Sequence, residues 1–427
     1  METIIVIGAG AAGLMAAYEL SKNNKKVIVL EASTRLGGRI CTLMNDSFSV
    51  PVELGAEFIH GNLPLTLDLL EQAGIKYHAT KGKMYHIEKG KFKKGEDGAD
   101  HWDGLMKCMK ELKNDLPLSE FLQQHFSDEK YESLRESAKH FAEGFDLADV
   151  SKVSTCSLYK EWSNEEHKQF RIDGGYQQLI NYLESECKKN GCIIYNDCCV
   201  KKISWQKNEV NIITMCSRYF QSEKVIITVP LCVLQSDKLD LNYIEFDPAI
   251  HEYLNAAKNI GFGNVIKILL EFDEAFWQNE KKNIGFVFTG EQIPTWWTQL
   301  PEENNILTGW FGGTQTKKFN KASNEELLQR ALQSLSSAFD KPADDLKIKL
   351  KAWKIINWKN EPNIAGGYSY DTVNTAKARK ILNRPIQQTI FFAGEALYEG
   401  ETKGTVEAAL ETGKAAALKV LQNSITA

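Results

Sequence analysis

Long hydrophobic runs are missing from this sequence, and so are blocks of basic residues and cysteines with metal-ligand spacing. No apolar stretch approaches the roughly 20 residues that cross a bilayer, so we expect no membrane segment. The net charge is −5 and no Lys/Arg cluster stands out, which argues against a nucleic-acid partner. The nine cysteines are scattered, which predicts no metal site and the reduced thiols of a cytoplasmic protein. A strand pattern, TIIVIG, begins at Thr3, so we expect no signal peptide.

What the sequence does contain is an ordinary globular composition and a nucleotide motif near its start. The 427 residues are 43% hydrophobic and 25% charged, enough for two or three domains with a buried core. The stretch TIIVIGAGAAGLMAAYELSKNNKKVIVLE (3–31) predicts a strand at 4–7, a glycine turn, a helix at 11–22 and a second strand at 27–30. This order is typical of the unit that binds a dinucleotide.

Three glycines and one acid give this unit its chemistry. Gly8 permits the tight turn, Gly10 lets the backbone approach a pyrophosphate, and Gly13 lets the helix pack close to the sheet. The helix N-terminus then directs its free N–H groups at the phosphates. Glu31 follows the second strand, 18 residues after Gly13, where an acid accepts hydrogen bonds from a ribose diol. The four features together predict a dinucleotide site.

The stretch after Glu31 indicates which dinucleotide. Two adjacent glycines, Gly37 and Gly38, stand between Arg35 and Arg39. The glycines allow close backbone approach to a ligand, and Arg39 offers a planar fork to a phosphate. Taken alone, this is a turn with a solvated arginine. After an acid at a strand tip it resembles the E-A-x-x-R-x-G-G-R signature of flavoproteins that hold FAD.

One lysine interrupts an apolar strand pattern later in the chain. In VIKILLEF (265–272), Val265, Lys267 and Leu269 share one strand face. The pKa of a buried lysine falls unless the lysine is paired, because burial disfavours its charged form. Two interpretations stay open from the residues alone: Lys267 extends to solvent from a sheet edge, or it is a buried functional group.

Seven stretches across nearly the whole chain resemble the flavin-containing amine oxidases, a family that includes monoamine oxidases, polyamine oxidases and lysine-specific histone demethylases. They are ELGAEFIHG (53–61), RIDGGYQQLI (171–180), CCVKKI (198–203), KVIITVPLCVL (224–234), GFGNVIKILLEFDEAFW (261–277), WKNEPNIAGGYSY (358–370) and FFAGEALYEGETKGTVEAALETGKAAA (391–417). The resemblance is closest in pattern to the polyamine oxidases.

The resemblance implies a set of site residues. In the family, a lysine at the position of Lys267 holds a water beside the reactive flavin nitrogen. Tyr368 is expected in one wall of an aromatic cage, Thr405 in the opposite wall, and His60 at the substrate. The implied FAD-binding residues are Gly8, Gly10, Ala12, Gly13, Glu31, Ala32, Arg35, Gly38, Arg39, Leu54, Gly55, Ala56, Glu57, Val200, Trp358, Gly394, Glu395, Thr405 and Val406.

Several departures from the family pattern refine these expectations. Gly367 stands where covalently flavinylated relatives carry a cysteine, so we expect non-covalent FAD. Asn363 stands where close relatives often carry a tryptophan. A cage of Tyr368 and Thr405 is wider and more polar than two tyrosines. Glu57 either attracts a distal ammonium or only accepts from backbone donors, and the sequence leaves both open.

The resemblance implies an α/β fold, α+β overall, with a Rossmann-like FAD domain (1–75, 170–240 and 375–427). A discontinuous, mixed α/β substrate domain is expected at 76–169 and 241–374, with the active site where the two meet. Within it, the stretch 105–126 has helical periodicity. Lone histidines such as His60 and alternate tyrosines such as Tyr368 are usually packing residues, which is the structural alternative for both.

The expected reaction is oxidation of a neutral amine to an imine, with dioxygen reduced to hydrogen peroxide. We expect polyamines or acetylated polyamines as substrates, because the segment 57–60 has no arginine to bind a substrate carboxylate. The alternatives are a monoamine or L-amino-acid oxidase, a flavoprotein dehydrogenase of porphyrinogens or carotenoids, and a non-catalytic flavin-bound interaction protein. The sequence does not specify the amine, the bond cleaved or the oligomeric state.

Overall fold

The computed structural model describes residues 2–44, 47–94, 100–163 and 168–423. Its first sheet is built from five parallel strands, and its central strand is the first in the chain. The spatial order is Ile193–Tyr195, Lys26–Leu30, Thr3–Ile7, Lys224–Ile227 and Ile390–Phe392. The strands are apolar because both faces are covered, with one core cluster on each side. The α/β fold class is thereby confirmed.

The second large sheet has seven strands and carries the lysine. Its order is Leu350–Asn357, Val265–Phe272, Ile306–Gly312, Thr295–Trp297, Ile284–Thr289, Lys83–Glu88 and Lys91–Lys94. The lysine strand is paired on both edges, and all eight of its residues are buried. The interpretation that Lys267 reaches solvent from a sheet edge is therefore wrong.

Smaller sheets connect the two. One contains Tyr219–Ser222, Glu209–Thr214, Val200–Gln206 and Glu245–Asp247, and another contains Ile59–His60, Gln169–Ile172 and Tyr77–Ala79. Two-stranded pairs join Gly261–Phe262 to Ser369–Tyr370 and Thr42–Leu43 to Val52–Glu53. The domain boundaries stay a prediction, but residues from 244 to 260 pack in the core cluster beside the first sheet.

Helices cover the sheets and build a separate all-helical layer. The α-helices are Ala11–Lys22, Pro64–Gln72, Trp102–Lys110, Leu118–His125, Glu132–Gly144, Thr155–Ser163, Gln177–Lys189, Leu231–Gln235, His251–Ala257, Phe276–Glu280, Asn324–Phe339, Ala343–Lys349, Thr375–Leu382 and Val406–Asn423. Short 3₁₀ turns lie at Glu129–Tyr131, Thr314–Phe319, Trp358–Asn360 and Glu395–Leu397. The helical periodicity of 105–126 is split between two helices: the first ends at Lys110, and Pro117 is the N-cap of the second.

Among the residues that the structure describes, no helix combines the length and apolar character needed to span a membrane. The same residues contain no group of three or more histidine, cysteine or acidic side chains arranged to hold a metal ion.

Candidate active site

The glycine turn and Glu31 form one rigid corner at the carboxyl ends of the first two strands. Gly8 has a φ of 102°, and a Cβ at Gly13 would lie 1.9 Å from the Gly8 carbonyl oxygen, so both positions require glycine. The Glu31 carboxylate accepts hydrogen bonds from the Ala9 N–H at 2.7 Å and the Ser33 N–H at 2.8 Å. Each carboxylate oxygen can accept a further bond, so Glu31 can still bind a ribose hydroxyl.

The Gly-Gly loop lies directly against this corner. Gly37 forms a bridge with Gly10, and a Cβ at Gly38 would lie 3.6 Å from the Gly10 Cα atom. In contrast, a Cβ at Gly10 would meet nothing nearer than 3.9 Å, and one at Gly394 nothing within 4 Å. The chain therefore leaves an open backbone cradle in front of Gly10 and Gly394, where a ligand can approach closely.

The two arginines of this loop have different surroundings. Arg35 donates to the carbonyl oxygens of Gly38 at 2.7 Å and Ile40 at 3.0 Å, so its guanidinium shapes the loop itself. Arg39 reaches across the molecule and donates to the Gly367 carbonyl oxygen at 2.6 Å and to Glu395 Oε1 at 2.8 Å. Arg39 thereby connects the Gly-Gly loop to the loop that precedes Tyr368 and to the 3₁₀ turn Glu395–Leu397.

Lys267 is completely buried and is held by an acid from the segment 53–61. Its Nζ lies 2.7 Å from Glu57 Oε2 and 3.1 Å from the Gly55 carbonyl oxygen, with the side chains 1% and 4% exposed. Neither interpretation of Glu57 from the sequence is right. Its carboxylate accepts hydrogen bonds from buried side-chain donors. It is therefore not free to attract a distal ammonium, and its donors are not backbone groups alone.

Arg171 and Trp297 complete this charge cluster, and sequence reasoning missed both roles. Arg171 Nε donates to Glu57 Oε1 at 3.0 Å, and Trp297 Nε1 donates to the same oxygen at 2.9 Å. Arg171 also donates to the carbonyl oxygens of Thr298 and Leu300. The available signal was an arginine between two apolar residues in the strand QFRI, but its partner lies 114 positions away.

Glu57 is ionised in this surrounding. Burial by itself raises the pKa of Glu57, but the positive charges of Lys267 and Arg171 outweigh it and hold the pKa below its usual range. The hydrogen bonds from Lys267 and Trp297 act in the same direction. Lys267, Glu57 and Arg171 thus combine two cations with one anion in a buried site.

The predicted cage residues lie close together. A Cβ at Gly404 would lie 3.2 Å from Tyr368 Cδ2, so the tyrosine ring packs against the residue next to Thr405. The Thr405 hydroxyl donates to the Thr402 carbonyl oxygen at 2.6 Å and accepts from the Ala408 N–H at 3.2 Å. Thr405 therefore acts as the N-cap of the last helix, and its hydroxyl is turned toward backbone.

Tyr368 and His60 are joined through Phe145, a residue that sequence reasoning did not single out. The Tyr368 hydroxyl donates to the Phe145 carbonyl oxygen, and the Phe145 and His60 rings meet edge to face at 6.3 Å. Burial lowers the pKa of His60 to about 4, so its imidazole is neutral at physiological pH. Phe58 lies on the other side of His60, with ring centroids 6.0 Å apart. The result is a partly exposed aromatic surface with a neutral histidine at its centre.

Carboxylates surround Tyr368. Burial raises the pKa of Tyr368 well above its usual value, and the negative charges of Asp146, Glu161 and Glu395 raise it further. Asp146 follows Phe145 in the chain, is buried, and accepts a hydrogen bond from Trp162 Nε1 at 3.0 Å. Among these carboxylates, Glu395 forms an ion pair with Arg39.

The remaining positions singled out from the sequence are set by packing and by backbone conformation. Trp358 is 2% exposed, and its Nε1 donates to the Leu54 carbonyl oxygen at 3.0 Å, so the indole packs under the segment 54–55. Gly367 packs against Leu147, where a Cβ would lie 2.5 Å from Leu147 Cδ1, and as a glycine it offers no thiol for a covalent link. Val200 is buried at the start of its strand, in the core beside the first sheet. Asn363 has a φ of 62°, a left-handed conformation that asparagine tolerates better than tryptophan.

A cavity of about 400 Å³ reaches the charge cluster from solvent, and its lining includes Glu53, Glu57 and Arg171. Glu53 accepts from the Tyr176 N–H at 2.5 Å and from the Thr42 hydroxyl at 2.9 Å. Burial raises the pKa of Glu53 to about 7, although those hydrogen bonds and the charge of Lys267 oppose the rise. Glu53 therefore changes its charge close to neutral pH.

Known proteins resemble this chain over nearly its whole length. The family model described as flavin containing amine oxidoreductase matches residues 11–421. Polyamine oxidase 4 of Oryza sativa subsp. japonica is 27% identical over 450 residues, covering 97% of this chain and 88% of the relative. Lysine-specific histone demethylase 2 of Homo sapiens is 28% identical over 439 residues, covering 92% of this chain but 50% of the relative.

Solved structures share the fold at low sequence identity. A putrescine oxidase bound to putrescine superimposes with a TM-score of 0.80 at 18% identity, covering 99% of both chains. Cyclohexylamine oxidase from Brevibacterium oxydans IH-35A gives a TM-score of 0.81 at 17% identity with the same coverage.

Proposed function

The chain belongs to the family of flavin-containing amine oxidoreductases, and we propose that it oxidises a C–N bond of aliphatic polyamines or acetylated polyamines, with release of hydrogen peroxide. FAD is its cofactor, bound without a covalent link. When bound, FAD takes two electrons from the amine and passes them to dioxygen. The residues of the chain bind FAD, place the amine and control charge around it.

The residues at the glycine corner fit FAD. Gly10 and Gly394 leave the backbone cradle open, and Glu31 keeps free acceptor capacity for a ribose. Arg39 lies in the Gly-Gly loop and carries the positive charge that a pyrophosphate or flavin oxygen requires. We propose these four residues as the main FAD contacts, with the other predicted positions shaping the loops around them.

The carboxylates around Tyr368 are the observation that favours a polyamine. Asp146 and Glu161 create negative potential beside the cage, and a polyamine carries several positive charges at neutral pH. His60 is neutral and so adds no repulsion against a cation. A charged aliphatic chain is therefore attracted to this site, whereas a single aromatic monoamine gains less from the same field.

An amino-acid substrate is disfavoured by the state of Arg171. This buried arginine is the cation that could bind a substrate carboxylate near the segment 53–61, but it is already bound to Glu57 and two backbone carbonyl oxygens. A substrate carboxylate would meet the negative charges of Asp146 and Glu161, and an unpaired buried carboxylate is costly.

The direct test is a peroxide-coupled assay of the purified holoenzyme. Spermine, spermidine and their N-acetyl derivatives are compared with benzylamine and free amino acids by kcat/KM. We expect at least one aliphatic polyamine to exceed every other class. If benzylamine or an amino acid is the best substrate, the polyamine proposal is wrong, and if no amine yields peroxide, the chain is a flavin-bound protein without oxidase activity.

The role of the negative field is tested by Asp146→Asn. It removes one charge but keeps an oxygen that can accept from Trp162 Nε1. We expect kcat/KM to fall by about tenfold or more for spermine, the equivalent of about 1.4 kcal/mol, and to change little for benzylamine. The matched control is Asp128→Asn, whose side chain is 71% exposed. Equal losses for both amines would show that Asp146 acts only through the fold.

A further inference from the structure

The charge cluster around Lys267 has a consequence beyond the proposed reaction. Three buried side chains from three different strands or segments converge there: Lys267 from the seven-stranded sheet, Glu57 from the segment 53–61, and Arg171 from the strand 169–172. The Lys267 Nζ to Glu57 Oε2 distance is 2.7 Å, and the Arg171 Nη2 to Glu57 Oε1 distance is 2.9 Å. The two cations therefore share one carboxylate, with one oxygen for each.

Aromatic rings enclose the cluster and restrict its motion. The Arg171 guanidinium lies over the Phe58 ring at 4.7 Å, and the Lys267 ammonium lies over the Trp297 ring at 5.6 Å. Cation–π contacts of this kind favour the charged form of each group. Trp297 also donates to Glu57, so one indole fixes both the anion and the lysine beside it.

We propose that Glu57 is a positioning residue whose carboxylate keeps Lys267 charged and in place at the flavin site, and that Arg171 holds the Glu57 carboxylate in position. This inference rests on the proposed function, since it concerns the same site. It adds that Lys267 in this chain is one member of a three-charge cluster with a net positive charge, rather than a lone buried lysine.

The physical reason is the cost of an unpaired buried charge. Removal of one member from a buried ion pair leaves the other charge uncompensated, which is strongly unfavourable. Without Glu57, the Lys267 ammonium would face Arg171 with no anion between them, and Coulomb repulsion would favour loss of its proton. Lys267 would then be charged at low pH and neutral at higher pH, while Arg171 would stay charged.

Other charged groups near Lys267 could add a pH dependence of their own, so the experiment must account for them. Glu53 interacts with Lys267 and titrates at about pH 7, so its own charge change falls in the same range. Arg39 lies in the adjoining loop, but its guanidinium is bound to Glu395 and Gly367. The experiment therefore uses Glu53→Gln as the background for every variant.

The test compares Glu57→Gln, Lys267→Met and the double variant in that background. The two-electron midpoint potential of bound FAD and the rate at which dithionite-reduced enzyme reacts with dioxygen are measured from pH 6 to pH 9. Neither measurement requires an amine. Failure of the proposed function, seen as no turnover of any amine, is thus distinguishable from failure of this inference.

We expect Glu57→Gln to make both quantities more dependent on pH than the background, with the dioxygen rate about tenfold lower at pH 9 than at pH 6. This added dependence should disappear when Lys267 is methionine, so that the double variant matches Lys267→Met. If Glu57→Gln shifts the potential equally at every pH, or shifts it equally with and without Lys267, Glu57 has only a packing role.

A milder variant protects the test against misfolding. Trp297→Phe retains all three charges, removes the hydrogen bond to Glu57 Oε1 and replaces the indole over Lys267 by a smaller aromatic ring. If Glu57→Gln does not retain FAD, Trp297→Phe replaces it in the same cycle, with a smaller pH dependence of the same sign. An unchanged pH dependence in Trp297→Phe, with Glu57→Gln unfolded, would count against the proposal.

Discussion

Replacement of Glu53 by glutamine should stabilise the protein at alkaline pH and have almost no effect at acidic pH. Glu53 is partly buried and accepts hydrogen bonds from the Tyr176 N–H and the Thr42 hydroxyl, and its pKa in the folded protein is about 7. The ordinary value of 4.5 applies in the unfolded chain. Because the folded pKa is raised, the folded state holds a proton that the unfolded state has lost between these two pH values, and stability falls as pH rises through this window.

The size of the effect follows from the two pKa values. A shift from 4.5 to about 7 at about 1.4 kcal/mol per pKa unit corresponds to about 3.5 kcal/mol as an upper limit. An unfolding entropy of about 2.1 cal/mol/K per residue gives about 0.9 kcal/mol/K for 427 residues. The variant should therefore melt about 4 °C above wild type at pH 8.5 and within about 1 °C of it at pH 4.5.

Thermal unfolding of the holoenzyme, followed by circular dichroism at both pH values, measures this difference. The control is Glu71→Gln, an exposed carboxylate on the helix Pro64–Gln72. Its difference from wild type should stay constant with pH. A Glu53→Gln difference that is also constant, or larger at pH 4.5 than at pH 8.5, would refute the assignment of a neutral Glu53 below pH 7.

The other predictions concern the cofactor and the chemistry. Acid or heat precipitation should release all of the flavin into the supernatant, because Gly367 has no thiol to form a covalent link; flavin that stays with the washed pellet would contradict this. Lys267→Met should bind FAD but slow flavin reduction, reoxidation or both by about tenfold or more in stopped-flow measurements, the equivalent of at least about 1.4 kcal/mol; two unchanged rates would refute it. His60→Ala should lower kcat/KM more for spermine than for benzylamine, because a neutral imidazole can accept a hydrogen bond from an ammonium; equal losses would assign His60 to packing alone.

Much of the dinucleotide corner could be predicted because its determinants are local. The spacing of Gly8, Gly10 and Gly13 with Glu31 requires only the strand–turn–helix unit in which they lie, and the predicted helix 11–22 has the observed bounds. Strand alternation placed Lys267 on an apolar face in the same way, but it left open whether the side chain is buried, and the pairing of its strand on both edges decides this. Such patterns depend on neighbours within about 30 positions.

The charge cluster could not be predicted because its members meet only through the tertiary fold. Glu57 and Lys267 are 210 positions apart, and Arg171 lies between them in the chain on a third strand. The orientation of Glu57 depends on which residues the two sheets bring to it. Phe145 was missed for a similar reason, since its carbonyl oxygen, rather than its side chain, binds Tyr368.

The closing of the first sheet by the strand Ile390–Phe392 has a consequence for biosynthesis. This strand pairs with Lys224–Ile227, and the last helix packs so closely on the first that a Cβ at Gly413 would lie 2.2 Å from the Ala12 carbonyl oxygen. When the glycine motif has just left the ribosome, the segments that complete its domain have therefore not yet been synthesised. Contacts of such sequence separation form slowly, and the apolar faces of the early strands stay exposed until the segment 390–423 has been synthesised. The glycine corner is therefore part of a completed FAD domain only after the strand Ile390–Phe392 has joined the sheet.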